Sequence, residues 1–140
     1  MKRTASANWK GGLKDGQGTV STTSGVLSSV PYNFSQRFET GAGTSPEELI
    51  AAAHASCFAM ALSAELGRAG ITPESIDSKS TVTLENTGGG FSVTSSHLEV
   101  TAKIPNADRA KFDKAAADAK AGCPISKLLN AKITLEARLA

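Results

Sequence analysis

The feature of this sequence that most constrains its fold is one long, mainly apolar stretch, residues 45–70, reading SPEELIAAAHASCFAMALSAELGRAG. Ser45 is a natural N-cap, Pro46 occupies the first helical position, and Glu48 completes an S-x-x-E capping box. Gly67 and Gly70 provide the signal that ends the helix. The stretch therefore predicts a helix of about 22 residues.

This helix is rich in alanine and nearly uncharged between Ile50 and Ser63. A helix that is apolar on all sides is expected to be buried on all sides, and small side chains let a neighbouring helix approach closely. A chain of 140 residues is long enough for one core but not for two independent ones. We therefore predict a single domain, residues 1–140, around a central buried helix that packs against a partner helix.

The segments on either side of the helix read mainly as strands. The first 40 residues have glycine-punctuated turns, and the alternation in 29–40, SVPYNFSQRFET, predicts a strand with Arg37 on its polar face. After the long helix, 78–104 reads as a hairpin whose apolar phase shifts near Ser95 and Ser96, which indicates a bulge or a bend.

The C-terminal third predicts a short helix from an Asn106 cap to about Ala121, a further helical turn over 124–129 and a last strand over 133–139. The order strands, long helix, hairpin, helices, strand differs from the alternation of βαβ folds. It predicts an α+β fold with antiparallel sheets.

Charge and composition exclude several classes of function. The 15 basic and 13 acidic residues give a net charge of +2, and the basic residues are not clustered, so we expect no nucleic-acid partner. The N-terminus MKRTASANWKGG lacks the apolar core of a secretory signal, and the apolar run 49–62 is interrupted and short for a bilayer, so we expect no membrane partner. A cytoplasmic location follows, where thiols stay reduced.

Two cysteines are the candidates for chemistry. Cys57 lies among alanines and is either a small buried hydrophobic residue or a reactive thiol. Cys123 lies in AGCPISKLL, between a glycine that ends one helix and a proline suited to begin the next. At that N-cap position, free N–H groups and the positive end of the helix dipole would stabilise a thiolate.

Three further side chains are candidates for tuning Cys57. His54 precedes it by three residues on the same helix, Arg37 is a cation able to lower a thiol pKa, and Glu47 can hold an arginine in a two-point ion pair. Glu47 and Cys57 are ten residues apart, about 15 Å along a continuous helix. If both serve one site, either the helix breaks or a second chain completes the site, and the small-residue face favours the second chain.

Three other functions compete with redox chemistry. His54-x-x-Cys57 is a feasible metal-ligand pair, although no second pair has ligand spacing. His54 and Cys57 are also the residue types of a cysteine hydrolase, which would leave Cys123 and Arg37 without roles. The third alternative is a non-catalytic dimeric scaffold with inert cysteines.

The segments PYNFSQRFE, GTSPEELIAAAHASCFAMALS and AKAGCPISKLL together resemble the OsmC/Ohr family of osmotically inducible and organic hydroperoxide resistance proteins, and most closely its OsmC branch. The resemblance implies antiparallel sheets around a long central buried helix and an intertwined homodimer with two sites at its interface. It also implies a thiol peroxidase that reduces organic hydroperoxides and is itself reduced by an external dithiol or a lipoylated protein.

The same resemblance assigns roles by position. It implies that Cys57 is the peroxidatic cysteine, Cys123 the resolving cysteine, Arg37 the residue that stabilises the thiolate and the peroxide oxygens, and Glu47 the residue that orients Arg37. No cofactor and no metal are implied. His54 is left as a packing residue.

Overall fold

The computed structural model describes residues 1–39 and 41–140. The chain divides into two compact units, Met1–Leu49 and Ile50–Ala140, which are taken in turn.

The first unit contains a three-stranded antiparallel sheet. Its strands are β1 (Ala5–Lys10), β2 (Gln17–Thr22) and β3 (Val30–Tyr32), in the order β1-β2-β3. A short helix, α1 (Phe34–Phe38), follows β3, and a long helix, α2, begins at Pro46.

The predicted strand over 29–40 is wrong beyond Tyr32. The side chain of Asn33 accepts a hydrogen bond from the backbone N–H of Gln36, at 2.9 Å, and so caps α1. Arg37 consequently lies on a helix and not on a strand. Thr40, the last residue of the predicted range, lies outside the described residues.

The long helix predicted from the caps is present as α2 (Pro46–Arg68). Ser45 Oγ accepts from the Glu48 backbone N–H at 3.1 Å, whereas the Glu48 carboxylate accepts from the Thr44 hydroxyl at 2.8 Å. At the other end Gly70 adopts a φ of +76°, the left-handed conformation typical of a helix stop. Ser45, Pro46 and Gly70 thus located the ends of α2 correctly, whereas Gly67, the other predicted stop, lies inside the helix.

Burial on α2 follows one stripe and does not extend around the helix. His54, Phe58, Leu62 and Leu66 are buried. The opposite face is exposed in this single chain and is built from small residues and one methionine: Ala52, Ala53, Ser56, Met60, Ser63 and Ala64. The expectation of burial on all sides is therefore not met within one chain.

Length and composition alone would allow α2 to cross a membrane. The helix has 23 residues and a mean hydropathy of 1.5 in its most apolar window, so the sequence estimate based on 49–62 understated it. Its buried stripe, however, packs into the core of the second unit, as a core helix does.

The second unit contains a second three-stranded sheet with the order β4-β5-β6. Thr83 pairs with Ser95 and Leu84 with Val93, so one residue of β5 is extra, and the predicted bulge near Ser95 is confirmed. The elements of this unit after α2 are β4 (Ser75–Asn86), β5 (Phe91–Lys103), α3 (Arg109–Gly122), α4 (Pro124–Leu128) and β6 (Lys132–Leu139).

The α+β class is confirmed, but one pairing differs from the antiparallel prediction. β6 runs parallel to β5, with Leu98 beside Leu135. The connection from β5 to β6 contains α3 and α4, and such a crossover is what a parallel pair requires. The first turn of α3 also begins later than predicted, because Asp108 and not Asn106 is its N-cap.

The core of this unit lies where α2, α3 and the sheet meet. Alternate residues of β5 point into it, as a strand with one buried face requires. Its buried members are Phe58, Leu62 and Leu66 of α2, Leu98, Val100 and Ala102 of β5, Ile104, and Phe112, Ala115, Ala116 and Ala119 of α3.

Candidate active site around Cys57 and Cys123

Helix boundaries place the second cysteine. Cys123 ends α3, where its N–H donates to the Ala119 carbonyl at 2.9 Å, and it is also the N-cap of α4. Pro124 cannot donate a backbone hydrogen bond, so α3 stops here and the chain turns into α4. Cys57 lies in the middle of α2.

The fold brings the two cysteines into contact across 66 residues of sequence. Their sulfur atoms lie 2.8 Å apart, and both thiols are free. Cys123 is fully buried, whereas Cys57 is half-buried. Because a disulfide bond is about 2.05 Å long, a small movement of the two side chains suffices to join them.

The surroundings of Cys57 act on its pKa in both directions. Burial raises the pKa of the Cys57 thiol, and the adjacent Cys123 raises it further. The backbone N–H of Ile125, in the first turn of α4, points at the Cys57 sulfur and lowers this pKa. The net effect is a raised pKa, so a reactive thiolate needs a positive charge in addition to what this unit supplies.

The N-cap prediction for Cys123 is therefore modified. Its side chain makes no cap hydrogen bond. The free donor at the start of α4 is directed to Cys57 instead. The first turn of α4, which begins at Pro124, thus offers its N–H donor to Cys57 and not to Cys123.

Arg37 and Glu47 form an ion pair in the first unit. Arg37 Nη2 donates to Glu47 Oε1 at 2.8 Å, and Arg37 Nε lies 3.2 and 3.3 Å from the two carboxylate oxygens. The guanidinium also lies 5.3 Å from the ring centre of Phe38. Both contacts fix the plane in which the arginine can present its remaining donors.

An aromatic cleft adjoins this arginine. It has a volume of about 250 Å³. Trp9 Nε1–H donates to the Gly11 carbonyl and the Tyr32 hydroxyl to the Asn8 carbonyl, so the polar ends of both rings are occupied. The cleft is lined by Trp9, Leu13, Tyr32, Asn33, Phe34, Arg37, Phe38 and Pro46.

His54 is fully buried and is hydrogen-bonded at both ring nitrogens. Nδ1 lies 2.6 Å from Ser96 Oγ, and Nε2 lies 2.8 Å from Ser126 Oγ. Burial lowers the pKa of the imidazole. Because serines occupy both nitrogens, the imidazole is not positioned to act as the base of a Cys57 hydrolase.

The structure thus brings the four predicted site residues together as two pairs, Cys57 with Cys123 and Arg37 with Glu47. Since α2 is unbroken from Pro46 to Arg68, a helix break cannot carry Glu47 to Cys57. In the part of the chain that the structure describes, no group of three or more His, Cys, Asp or Glu side chains is arranged to hold a metal ion.

Sequence reasoning missed Ile125, Ser96 and Ser126. Ile125 could have been found, because a proline at the first helical position leaves the following N–H groups free. Ser96 and Ser126 lie 42 and 72 residues from His54, and no local pattern connects them.

The chain is similar in sequence to proteins of one known family. The sequence model of the family described as OsmC-like protein matches residues 39–138. The chain is 52% identical over 133 residues to the Peroxiredoxin OsmC of Escherichia coli (strain K12), which spans 95% of this chain and 93% of that protein.

Solved structures with a similar fold cover nearly the whole chain. OhrB of Bacillus subtilis, an organic hydroperoxide resistance protein, has a TM-score of 0.68 and 25% identity, with 98% of each chain covered. An organic hydroperoxide resistance protein OsmC from Legionella pneumophila has a TM-score of 0.67 and 25% identity, with 98% of this chain and 96% of that chain covered. An OsmC-like protein from Vibrio cholerae has a TM-score of 0.76 at 18% identity, covers 98% of this chain and 99% of its own, and supports the fold alone.

Proposed function

The chain belongs to the OsmC family, and from this premise we propose that it is a thiol-dependent peroxidase that reduces organic hydroperoxides to alcohols. The observation that carries the proposal is the contact between two free thiols, Cys57 and Cys123, from distant parts of the sequence. Two thiols in contact favour disulfide chemistry, and the name Peroxiredoxin OsmC of the Escherichia coli relative supports a peroxide as the oxidant.

In the first step the Cys57 thiolate attacks the distal oxygen of ROOH. The O–O bond breaks, an S–O bond forms, and the products are Cys57 sulfenic acid and RO⁻, which takes up a proton to become ROH. Cys57 is the residue we assign to this step because it is the half-buried thiol, whereas Cys123 is fully buried.

Arg37 is the residue we assign to stabilising the thiolate. Burial raises the pKa of Cys57, so a cation is required to keep the thiolate populated at neutral pH. A guanidinium supplies that charge and has further donors for the peroxide oxygens. Glu47 orients it through the ion pair described above.

The aromatic cleft beside Arg37 supports an organic substrate in preference to hydrogen peroxide. Its apolar walls offer an alkyl or aryl group a surface to pack on, and hydrogen peroxide has no such group. Burying an apolar substituent contributes about 25 cal/mol for each Å². Such a gain lowers the barrier only for substrates that carry the substituent.

In the second step the Cys123 thiol attacks the sulfenic sulfur. Water leaves, and a Cys57–Cys123 disulfide forms. An external dithiol then reduces the disulfide by exchange and is itself oxidised to a cyclic disulfide, for which a lipoyl group on a partner protein is suited. The electrons come from this dithiol, so the cycle requires no bound cofactor and no metal.

We further propose that the protein acts as a homodimer in the cytoplasm. One face of α2 is exposed in the single chain and consists of small residues and one methionine, which is the kind of face that packs closely on the helix of a partner copy. The separation of ten helical residues from Glu47 to Cys57, about 15 Å along α2, also favours a site completed by a second copy. Two free thiols fit a reducing compartment.

The test is rapid mixing of the reduced protein with cumene hydroperoxide and, separately, with hydrogen peroxide. Mass spectrometry follows the products in the wild type, Cys57→Ser and Cys123→Ser. We expect faster reaction with cumene hydroperoxide, a Cys57–Cys123 disulfide in the wild type, and sulfenic or over-oxidised Cys57 in Cys123→Ser. Slow oxidation that is the same for both peroxides and persists in Cys57→Ser would overturn the proposal.

A further inference from the structure

A chain of polar side chains crosses the interior of the second unit beside the two cysteines. Ser80 Oγ lies 2.9 Å from Ser96 Oγ, Ser96 Oγ lies 2.6 Å from His54 Nδ1, and His54 Nε2 lies 2.8 Å from Ser126 Oγ. His54 and Ser96 are fully buried. These hydrogen-bonded side chains connect β4, β5, α2 and α4 in that order.

These hydrogen-bonded side chains belong to the same segments of α2 and α4 that carry Cys57 and its neighbours. His54 precedes Cys57 by three residues on α2, so the two side chains lie on neighbouring faces. Ser126 follows Ile125, whose N–H points at Cys57, and it lies three residues after Cys123. The bond between His54 and Ser126 is thus the polar link from α2 to the short segment that carries both of these contacts of Cys57.

A histidine is an unusual choice for packing alone. A buried polar group is costly unless all its hydrogen bonds are made, and an aliphatic side chain of similar volume would avoid that cost. What the imidazole adds is direction, since each nitrogen fixes the distance and angle of its partner. The neutral ring has one donor and one acceptor, and serine hydroxyls can complement both.

We propose that His54 is a positioning residue for the redox pair. Through Ser126 it holds α4 against α2, so that the Cys123 thiol remains at the Cys57 sulfur. The inference rests on the proposed peroxidase function and deepens it, because it assigns the means by which the resolving thiol is kept within reach.

The chemical consequence is a change in competition between two reactions of Cys57 sulfenic acid. Attack by the Cys123 thiol gives the disulfide and water. Attack on a second ROOH gives sulfinic acid and ROH. Loosening α4 slows the first reaction and leaves the second available, so it shifts the product from disulfide to sulfinic acid.

The test compares Ser126→Ala with Ser80→Ala. Both substitutions remove one serine hydroxyl from the same chain, but only Ser126 lies in α4. Two quantities are measured. One is the rate of disulfide formation driven by diamide, which needs no peroxide. The other is the ratio of disulfide to sulfinic Cys57, by mass spectrometry, under excess cumene hydroperoxide.

We expect Ser126→Ala to slow diamide-driven disulfide formation by about tenfold or more, since misplacement of reacting groups by about 1 Å can cost about a hundredfold in rate. It should also raise the sulfinic product several-fold. Ser80→Ala should stay within about twofold of the wild type in both measurements. A purely structural role would lower the melting temperatures of both variants and leave their disulfide rates alike.

A second pair of variants guards against misfolding. His54→Gln retains an amide donor and acceptor, whereas His54→Phe fills the space without hydrogen bonds. We expect Gln to restore most of the rate of disulfide formation and Phe to behave as Ser126→Ala does. Ser126→Ala and His54→Phe that form the disulfide as fast as the wild type would overturn the inference. Failure of the peroxidase proposal would appear separately, as a wild type that reacts with diamide but not with cumene hydroperoxide.

Discussion

Arg37 holds Glu47 through two of its nitrogens, with Nη2 2.8 Å from Oε1 and Nε within 3.3 Å of both carboxylate oxygens. The arginine side chain is 39% exposed and the glutamate 12%. An ion pair this accessible contributes only about 0–1 kcal/mol to stability after solvent screening. Its effect is therefore one of orientation, since it fixes which guanidinium donors remain free for a thiolate or a peroxide.

The first prediction separates orientation from stability. Glu47→Gln should lower the second-order rate constant for oxidation of Cys57 by cumene hydroperoxide about ten- to hundredfold, because a neutral amide holds the guanidinium loosely. The melting temperature should change little. Glu48→Gln is the matched control, since Glu48 bonds Thr44 and not Arg37. Equal rate losses in the two variants would refute the orienting role of Glu47.

The second prediction concerns the pH dependence of thiol reactivity. Burial raises the pKa of Cys57, so removal of a stabilising cation should raise it further. In a Cys123→Ser background, where Cys57 is the remaining thiol, Arg37→Met should move the midpoint of iodoacetamide alkylation to higher pH. At neutral pH the rate should fall, and above both midpoints the two rates should converge.

Arg68→Met provides the control for that titration, because Arg68 pairs with Glu65 at the other end of α2. Its midpoint should match that of the Cys123→Ser parent. An Arg37→Met profile that coincides with the parent would show that Arg37 does not act on the thiolate.

The third prediction concerns stability against pH. Burial lowers the pKa of His54, so the unfolded state takes up the proton first as pH falls. Its contribution to the free energy of unfolding is therefore complete above the unfolded pKa of about 6.5 and declines as pH drops through that value. The slope for one proton is at most about 1.4 kcal/mol per pH unit.

His54→Gln should remove the part of the decline in the free energy of unfolding that His54 causes as pH falls. His97→Gln should retain that part. Thermal unfolding between pH 7.5 and pH 5.5, about one unit on either side of 6.5, measures both at one protein concentration. The interpretation of His54 as a buried neutral group would be wrong if the two variants lost stability in parallel with the wild type.

Local signals in the sequence predicted α2 but misassigned α1. Ser45, Pro46 and Gly70 act on the backbone next to them. The helix ends they predict therefore do not depend on which distant residues pack nearby. Phe34 and Phe38 fit both a strand face and a helix face, and their ring centres, 4.7 Å apart, show that the helical spacing prevailed.

Non-local features were beyond such signals. The alternation in β6 is the same whether it pairs parallel or antiparallel, so its direction beside β5 could not be predicted. The cysteine pair was expected from the family resemblance, whereas the serines on His54 were not, because they meet it only in the folded chain.

The exposed face of α2 leads to the last prediction. Met60, 76% exposed, lies among small residues on this face, and apolar surface left in water favours association. Met60→Glu should convert a dimer to monomers, because a carboxylate without a partner cannot be buried in an apolar contact. Sedimentation velocity measures the change.

Val26→Glu is the control for Met60→Glu, since Val26 is 83% exposed in the turn between β2 and β3 and outside α2. It should leave the sedimentation coefficient unchanged. If the site needs a second copy, the Met60→Glu monomer should also oxidise Cys57 slowly, with its pH midpoint shifted upward as in Arg37→Met. A monomer with full peroxidase activity would show instead that one chain carries a complete site. Arg37 would then act on the Cys57 of its own protomer.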